Sequence, residues 1–127
     1  MSFRLSARSQ ARLEGVHPDL VAVVRAAIAD CPIDFMVTEG LRSPRRQAAL
    51  VRAGASRTLK SRHLTGHAID VAALIEGQVR WDWPLYPRIA ETMKAAALRL
   101  KVPIIWGGDW PSLRDGPHFE LDRRAYP

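Results

Sequence analysis

The stretch Ser61-Arg62-His63-Leu64-Thr65-Gly66-His67-Ala68-Ile69-Asp70 holds the densest group of chemically active side chains in this chain. It places His63, His67 and Asp70 where a basic, hydroxyl-rich segment gives way to an apolar run over residues 68–74, which is typical of a strand. Neutral imidazole and carboxylate are ligands that zinc prefers at catalytic sites. We therefore predict a metal site where a loop enters a β-sheet.

A second cluster near the C-terminus, Asp115-Gly116-Pro117-His118-Phe119-Glu120, could complete that site. A catalytic zinc usually takes three protein ligands and a water, and a nearby carboxylate accepts the proton of that water. Spacing alone leaves structural histidines as the alternative. The helical zinc-protease signature HExxH, a cysteine pair, the serine hydrolase elbow Gly-x-Ser-x-Gly and a phosphate-binding loop are all absent from the sequence.

Patterns around the two clusters predict an α+β domain with a mostly antiparallel sheet, because helices come early and strands recur later without strict alternation. The bounds of the predicted helices and strands come from three signals. These are proline and serine at helix starts, apolar residues at helical spacing, and short alternating runs. The predicted helices span 18–31, 43–53 and a third segment that begins at Pro84 or Pro87 and ends near residue 100. The predicted strands span 35–38, 68–74, 78–81, 102–106 and 117–121. Residues 54–64 are predicted to form a loop, and residues 6–13 a short polar segment.

Length and composition favour one globular domain over residues 1–127, with 47% hydrophobic and 25% charged residues. The single cysteine, Cys31, allows no internal disulfide, so we expect synthesis in a reducing cytoplasm. No window approaches the about 20 apolar residues of a membrane span. The N-terminal residues lack the apolar core of a secretory signal, so a substrate outside the membrane requires a separate release route.

The net charge of +6 is unevenly distributed. Between Gly40 and Ile69 the chain has no acidic residue and seven basic ones: Arg42, Arg45, Arg46, Arg52, Arg57, Lys60 and Arg62. Such a stretch attracts polyanions such as nucleic acid, anionic lipid or an anionic wall polymer. A solvated basic face that aids solubility is the alternative, and charge alone does not choose between them.

These motifs resemble those of the zinc D-Ala-D-Ala carboxypeptidases and the related phage endolysin peptidases. The pattern Ser-x-His-x-x-Gly-x-Ala-x-Asp is matched by Ser61, His63, Gly66, Ala68 and Asp70. The pattern carboxylate-x-x-His is matched by Asp115 and His118, and Arg-Ser-x-x-x-Gln by Arg42, Ser43 and Gln47. The opening segment, residues 6–20, also looks like the start of the endolysin branch. The resemblance covers most of the chain in the right order.

This resemblance implies the hedgehog/D,D-peptidase fold, an α+β domain whose antiparallel sheet carries the zinc site and is flanked by helices. It implies one Zn²⁺ per chain, bound by His63, Asp70 and His118. Asp115 would be the general base. Arg42 is a candidate contact to the substrate or its oxyanion, with a solvated charge as the alternative.

Four further residues are candidates for substrate contact: Ser61, His67, Trp106 and Trp110. Ser61 is also a candidate turn residue. His67 lies outside the family's ligand pattern, so packing beside the site is its main alternative. Tryptophan is more often a core residue than a binding residue, which is the alternative for the other two.

Aspartate at the base position, where many carboxypeptidase relatives have glutamate, is the choice of the endolysin branch. The resemblance therefore implies an L-alanyl-D-glutamate endopeptidase acting on the stem peptide of bacterial peptidoglycan. The alternatives are a D,D- or L,D-carboxypeptidase of the same superfamily and a non-catalytic wall-binding or signalling module. A basic nucleic-acid binder or metal nuclease is a third alternative, which we rank last. We expect a monomer that acts on the cell wall after release, with a holin-like partner and no nucleic acid.

Overall fold

The computed structural model describes residues 2–56 and 58–127; Met1 and Arg57, the latter from the basic stretch, lie outside the described residues. The helices are α1 (Ala7–Arg12), α2 (Pro18–Asp30), α3 (Pro44–Arg52) and α4 (Leu85–Leu100). The strands are β1 (Asp34–Glu39), β2 (Ala68–Ile75), β3 (Gln78–Arg80), β4 (Ile104–Trp106) and β5 (His118–Leu121). Two short 3₁₀ turns lie at Arg62–Thr65 and Gly107–Asp109.

The strands form one sheet in the order β1-β2-β5-β4, with β3 paired to β2. All four pairings are antiparallel. The predicted α+β class, with an antiparallel sheet flanked by helices, is therefore confirmed. In the central pairing, Asp70 of β2 lies directly opposite His118 of β5, so the ladder joins the two sequence clusters.

Local sequence explains where the helices begin. The Ser43 hydroxyl accepts a hydrogen bond from the Arg46 amide at 3.0 Å at the start of α3, with proline in its first turn. At the start of α2, the ring of His17 accepts from the Asp19 amide at 3.1 Å. Histidine thus replaces the more usual serine or aspartate as the capping residue.

The short polar segment near the N-terminus is helical, which the sequence pattern does not predict. Helix α1 has only six residues, too few for an apolar period to be recognised. It is fixed by tertiary contacts with β1: the Ser9 hydroxyl accepts from the Val37 amide at 3.0 Å, and the Arg12 guanidinium donates to the Val37 carbonyl at 3.0 Å. These contacts cover the edge of the sheet that β1 forms.

The core lies between the sheet and the packed pair α2 and α4. Strand β2 contributes Ile69, Val71 and Ala73 to this core. Because side chains alternate along a strand, Asp70 points to the opposite face, between two alanines. No helix of residues 2–56 and 58–127 is long and apolar enough to cross a membrane.

Candidate metal centre

Three side chains converge on the face of the sheet that is turned away from the helical core. His63 comes from the first 3₁₀ turn, Asp70 from β2 and His118 from β5. Each offers one ligand atom, and these atoms all lie within 4.8 Å of one another. The Nε2 atom of His63 is 3.3 Å from Oδ2 of Asp70, and Nδ1 of His118 is 3.1 Å from Oδ1. The structure thus brings together the three residues that the two motifs predict.

The turn that carries His63 explains the small residues of the first motif. The Ser61 hydroxyl accepts from the His63 amide at 3.2 Å and so caps the turn. Gly66 ends the turn with φ of 75°, a left-handed conformation that suits glycine. A Cβ atom there would also lie 2.4 Å from the Gly15 carbonyl oxygen. These constraints place the imidazole over β2.

Hydrogen bonds behind the two imidazoles orient their other nitrogen atoms toward Asp70. Nδ1 of His63 lies 2.9 Å from the Gly40 carbonyl oxygen, which can only accept, so Nδ1 donates and Nε2 is the nitrogen that faces Asp70. Nε2 of His118 lies 2.9 Å from a carboxylate oxygen of Glu120 and donates to it in the same way. Outer partners of this kind fix the tautomer and orientation of metal-ligating histidines.

The electrostatics of the cluster favour a bound cation. Burial raises the pKa of Asp70, but hydrogen bonds from His118 and His63 outweigh it and hold that pKa well below its usual range. Burial opposes the charged form of His118, yet Asp70 and Glu120 outweigh it and raise the pKa of His118 to about 9. A proton on His118 thus supplies positive charge between two carboxylates. Two imidazole nitrogens and one carboxylate also form a donor set that fits zinc.

Asp115 lies beside this cluster in a turn that holds it against His118. The Asp115 amide donates to the Gly107 carbonyl at 3.1 Å, and the His118 amide donates to the Asp115 carbonyl at 3.2 Å. A Cβ atom on Gly107 would lie 3.1 Å from the Cβ atoms of both residues, so glycine permits this close approach. Burial and the charge of Asp70 raise the pKa of Asp115, which suits a group that accepts and returns a proton.

Arg42 reaches the same site from the segment before α3. It is 9% exposed, and its guanidinium donates to Glu39 and to Gln47, each at 2.8 Å. Its Nη2 atom lies 3.6 Å from Oδ2 of Asp70. The structure therefore does not support the alternative of a solvated charge. Gln47 is itself buried and donates to the Ser56 hydroxyl at 2.9 Å. This hydrogen bond connects the segment after α3 to the Arg42 network.

The four further candidates for substrate contact separate into two groups. Ser61 and Trp110 line the cavity above the cluster, and the Trp110 ring centroid lies 5.1 Å from that of His118. Trp106 is buried in the core, where its indole donates to the Gly116 carbonyl at 2.7 Å and supports the turn before His118. His67 lies outside the cavity lining, where its ring packs near His17 and bonds the Thr65 hydroxyl at 2.6 Å.

The cavity has a volume of about 650 Å³ and opens to solvent above the cluster. Its lining includes His63, Asp70, His118, Asp115 and Arg42, together with Arg46, Leu113 and Arg114 on its rim. Glu120 has no role in either sequence motif, although period-2 alternation along β5 places it on the same face as His118. That alternation is the signal that could have identified it.

The chain is similar in sequence to one protein family and to two named peptidases. A family model described as phage L-alanyl-D-glutamate peptidase matches residues 1–126. The L-alanyl-D-glutamate peptidase of Escherichia phage T5 is 32% identical over 130 residues, which covers 99% of this chain and 94% of that protein. The peptidoglycan L-alanyl-D-glutamate endopeptidase of Bacillus subtilis is 30% identical over 111 residues, which covers 77% of this chain and 66% of that protein.

A solved structure is also similar over nearly its whole length. The crystal structure of the Serratia marcescens L-Ala D-Glu endopeptidase ChiX matches with a TM-score of 0.93 and 52% identity. The match covers 99% of this chain and 95% of that one. The arrangement of helices and sheet described above is therefore that of a solved endopeptidase.

Proposed function

The chain belongs to the phage L-alanyl-D-glutamate peptidase family, and from this premise we propose that it is a zinc-dependent endopeptidase of bacterial peptidoglycan. The bond it hydrolyses is the one between L-alanine and D-glutamate in the stem peptide. The observation that carries this proposal is the convergence of His63, Asp70 and His118 beside Asp115 at the base of an open cavity. The similarity to endolysin peptidases that the sequence motifs predict is confirmed.

The metal proposal rests on the donor set and its orientation. His63, Asp70 and His118 would hold one zinc ion per chain, because their lone pairs face one point and their outer hydrogen bonds fix that direction. When bound, zinc would supply a Lewis acid that polarises the scissile carbonyl and makes a water nucleophilic near neutral pH.

Asp115 has the position and the environment of the general base. It accepts a proton from the attacking water as the water oxygen bonds to the alanyl carbonyl carbon. As the carbon–nitrogen bond breaks, Asp115 returns that proton to the glutamyl nitrogen, which leaves as an amine. The raised pKa of Asp115, caused by burial and by the charge of Asp70, favours both halves of this exchange. No covalent intermediate is required.

Arg42 is the candidate for stabilising the negative charge that develops on the carbonyl oxygen. Its guanidinium is fixed by Glu39 and Gln47 before substrate arrives, so little reorganisation is needed during the reaction. The basic stretch nearby would attract the enzyme to anionic wall polymers. Synthesis in the host cytoplasm, release by a holin-like partner and a monomeric state stay predictions.

Digestion of purified peptidoglycan, followed by mass spectrometry of the new termini, tests the activity. We expect new C-terminal alanine and new N-terminal glutamate in equal amounts. Release of terminal D-alanine instead would favour the carboxypeptidase alternative. Wall binding without any new terminus would favour a non-catalytic module.

Metal analysis of the purified protein tests the cofactor. We expect one zinc per chain, lost in His63→Ala. His67→Ala is the matched control, because this second histidine lies four residues further along the chain but outside the cluster. Loss of zinc in the control but not in His63→Ala would contradict the assigned ligand set.

A further inference from the structure

A loop with a strained backbone lies at the rim of the cavity, and the proposed mechanism gives this loop no role. Leu113 has φ of 53°, in the left-handed region that disfavours residues with a side chain. Two other residues in the described chain share this property, Glu76 and Lys101, and they lie at a hairpin turn and at a helix end. Leu113 has no such explanation, and backbone strain of this kind concentrates at binding sites.

This loop presents Leu113 and Arg114 at the cavity, directly before the general base Asp115. Leu113 is 63% exposed and lines the cavity. Arg114 is also exposed, so its guanidinium is accessible to a bound peptide. Both side chains are therefore available on the side of the cavity where Asp115 meets the leaving amine.

Three arginines line the cavity, and they differ in how far protein carboxylates already neutralise their charges. Arg42 is committed to Glu39 and Gln47, and its remaining nitrogen faces Asp70. Arg46 faces Glu39 at 3.5 Å. Among residues 2–56 and 58–127, no carboxylate lies within 4.0 Å of Arg114. Arg114 is thus the cavity arginine with a charge left for a ligand.

The proposed substrate supplies a suitable ligand. A glutamyl residue has two carboxyl groups, and one continues the peptide whichever way the chain is linked. The other remains a free carboxylate on the residue whose nitrogen leaves. Arg42 already pairs with Glu39 and the proposed metal with Asp70, so that carboxylate needs a further cation to be held beside Asp115. A guanidinium binds carboxylate with two parallel hydrogen bonds, which fixes orientation as well as charge.

We infer that Arg114 binds the free carboxylate of the glutamyl residue and makes the enzyme selective for the acid over its amide. This inference rests on the proposed function, because it assumes cleavage at the L-alanyl-D-glutamate bond. The strained backbone at Leu113 holds the guanidinium at the rim, next to the base that protonates the glutamyl nitrogen. An enzyme built this way prefers walls whose stem glutamate is unmodified.

A pair of peptides that differ in one group tests the inference. One is a soluble stem peptide with the glutamyl carboxylate free, and the other has that carboxylate converted to a primary amide. We expect the zinc-loaded enzyme to cleave the acid with kcat/KM about tenfold higher, the scale of a charge-assisted hydrogen bond. Arg114→Gln should bring the ratio of the two values close to one.

Arg46→Gln is the matched control, since it removes another arginine from the same cavity and should leave the preference for the acid in place. Zinc content and thermal unfolding of each variant show whether the fold and metal site are retained. Equal cleavage of both peptides by the unmodified enzyme overturns the inference, as does a preference that survives Arg114→Gln or disappears in Arg46→Gln. If neither peptide is cleaved at the alanyl-glutamyl bond, the proposed function itself fails and the inference fails with it.

Discussion

The floor and the rim of the cavity are built in opposite ways. The floor consists of the three candidate ligands, His63, Asp70 and His118. The side chains of its two histidines are nearly buried, and each ring nitrogen has a partner. On the rim, Leu113 and Arg114 are exposed and belong to a loop without regular structure. The difference indicates that the floor carries the chemistry and the rim recognises the peptide. Chemistry needs atoms that are fixed by buried contacts, whereas recognition of one peptide among many can be left to loops that vary without unfolding the protein.

The rigidity of the floor extends beyond the three candidate ligands. Glu120 bonds His118 from behind, and the Nε atom of Arg62 lies 4.0 Å from the second carboxylate oxygen of Glu120. The guanidinium of Arg62 also donates to the carbonyls of Leu121 and Tyr126, at 3.2 and 2.7 Å. The C-terminal segment thus supports the residues behind the site. Within the described part of the chain, neither Leu113 nor Arg114 has a side-chain hydrogen bond or ion pair of this kind, so substitutions in the two regions should differ in kind.

The largest effect that leaves the floor intact is expected for Asp115→Ala. This variant should keep its zinc and its fold and lose about 10²- to 10⁴-fold in kcat, the usual contribution of a general base. Turnover of a soluble stem peptide, together with metal analysis, measures both quantities. Asp109→Ala is the control, because Asp109 is an exposed aspartate paired with Lys94 outside the site. Near-native turnover by zinc-loaded Asp115→Ala would assign the base to another residue.

A smaller effect, confined to the floor, is expected for Glu120→Gln. The substitution preserves shape but removes the negative charge behind His118, so zinc affinity should fall by about 10- to 100-fold. Competition with a chelator measures this affinity directly. Asp122→Asn is the matched control, since Asp122 is a buried carboxylate two residues along that pairs with Arg124 instead. Equal losses in both variants would show that general damage to this region, and not the contact with His118, is responsible.

Removal of the metal should give the floor a pH-dependent stability. In the metal-free protein the pKa of His118 is raised to about 9, above the ~6.5 of an unfolded histidine. Its ion pair with Asp70 therefore stabilises the folded state fully below pH ~6.5, and this contribution is lost as pH rises through about 9. The loss in unfolding free energy should be on the order of 3 kcal/mol.

Chemical denaturation of chelator-treated protein between these pH values measures that loss. Asp70→Asn removes the main partner of His118 and should flatten the profile. Zinc binding requires neutral imidazole, so the stability gained on adding zinc should increase over the same range. A metal-free protein whose stability does not change with pH would contradict the cationic state assigned to His118.

The same division between floor and rim explains what the sequence can predict. His63, Asp70 and His118 are recognisable because the turn and the strand ladder that join them require fixed residue types at fixed spacing. Helix α1 is missed because its contacts with Val37 are tertiary. The conformation of Leu113 is not predictable either, since no periodic pattern or glycine marks a left-handed residue in that loop. His67 is close to His63 in sequence, but the turn ends between them and directs its ring elsewhere.

The smallest effect is expected for the basic surface beyond the rim. Arg45 and Arg52 are exposed on α3, a helix with no acidic residue, and Arg57 follows in the same stretch. Such charges act through a screened field with a Debye length of about 10 Å at 0.1 M salt. Replacing all three by glutamine should weaken binding to whole cell walls a few-fold at low salt, because a single charge that acts through a screened field contributes little. Arg46 is left unchanged because it lines the cavity.

Cleavage of a short soluble stem peptide should be nearly unaffected by the triple change, because the candidate ligands, Asp115 and Arg42 are unchanged. Sedimentation with purified walls at several salt concentrations measures the binding. The control replaces Arg4, Arg8 and Arg25, three exposed arginines outside the basic stretch, so that the net charge falls by the same amount. Weaker binding only in the first variant would locate wall attraction beside the cavity. Equal weakening in both would make it a property of total charge, and binding indifferent to salt would leave recognition to the cavity and its rim.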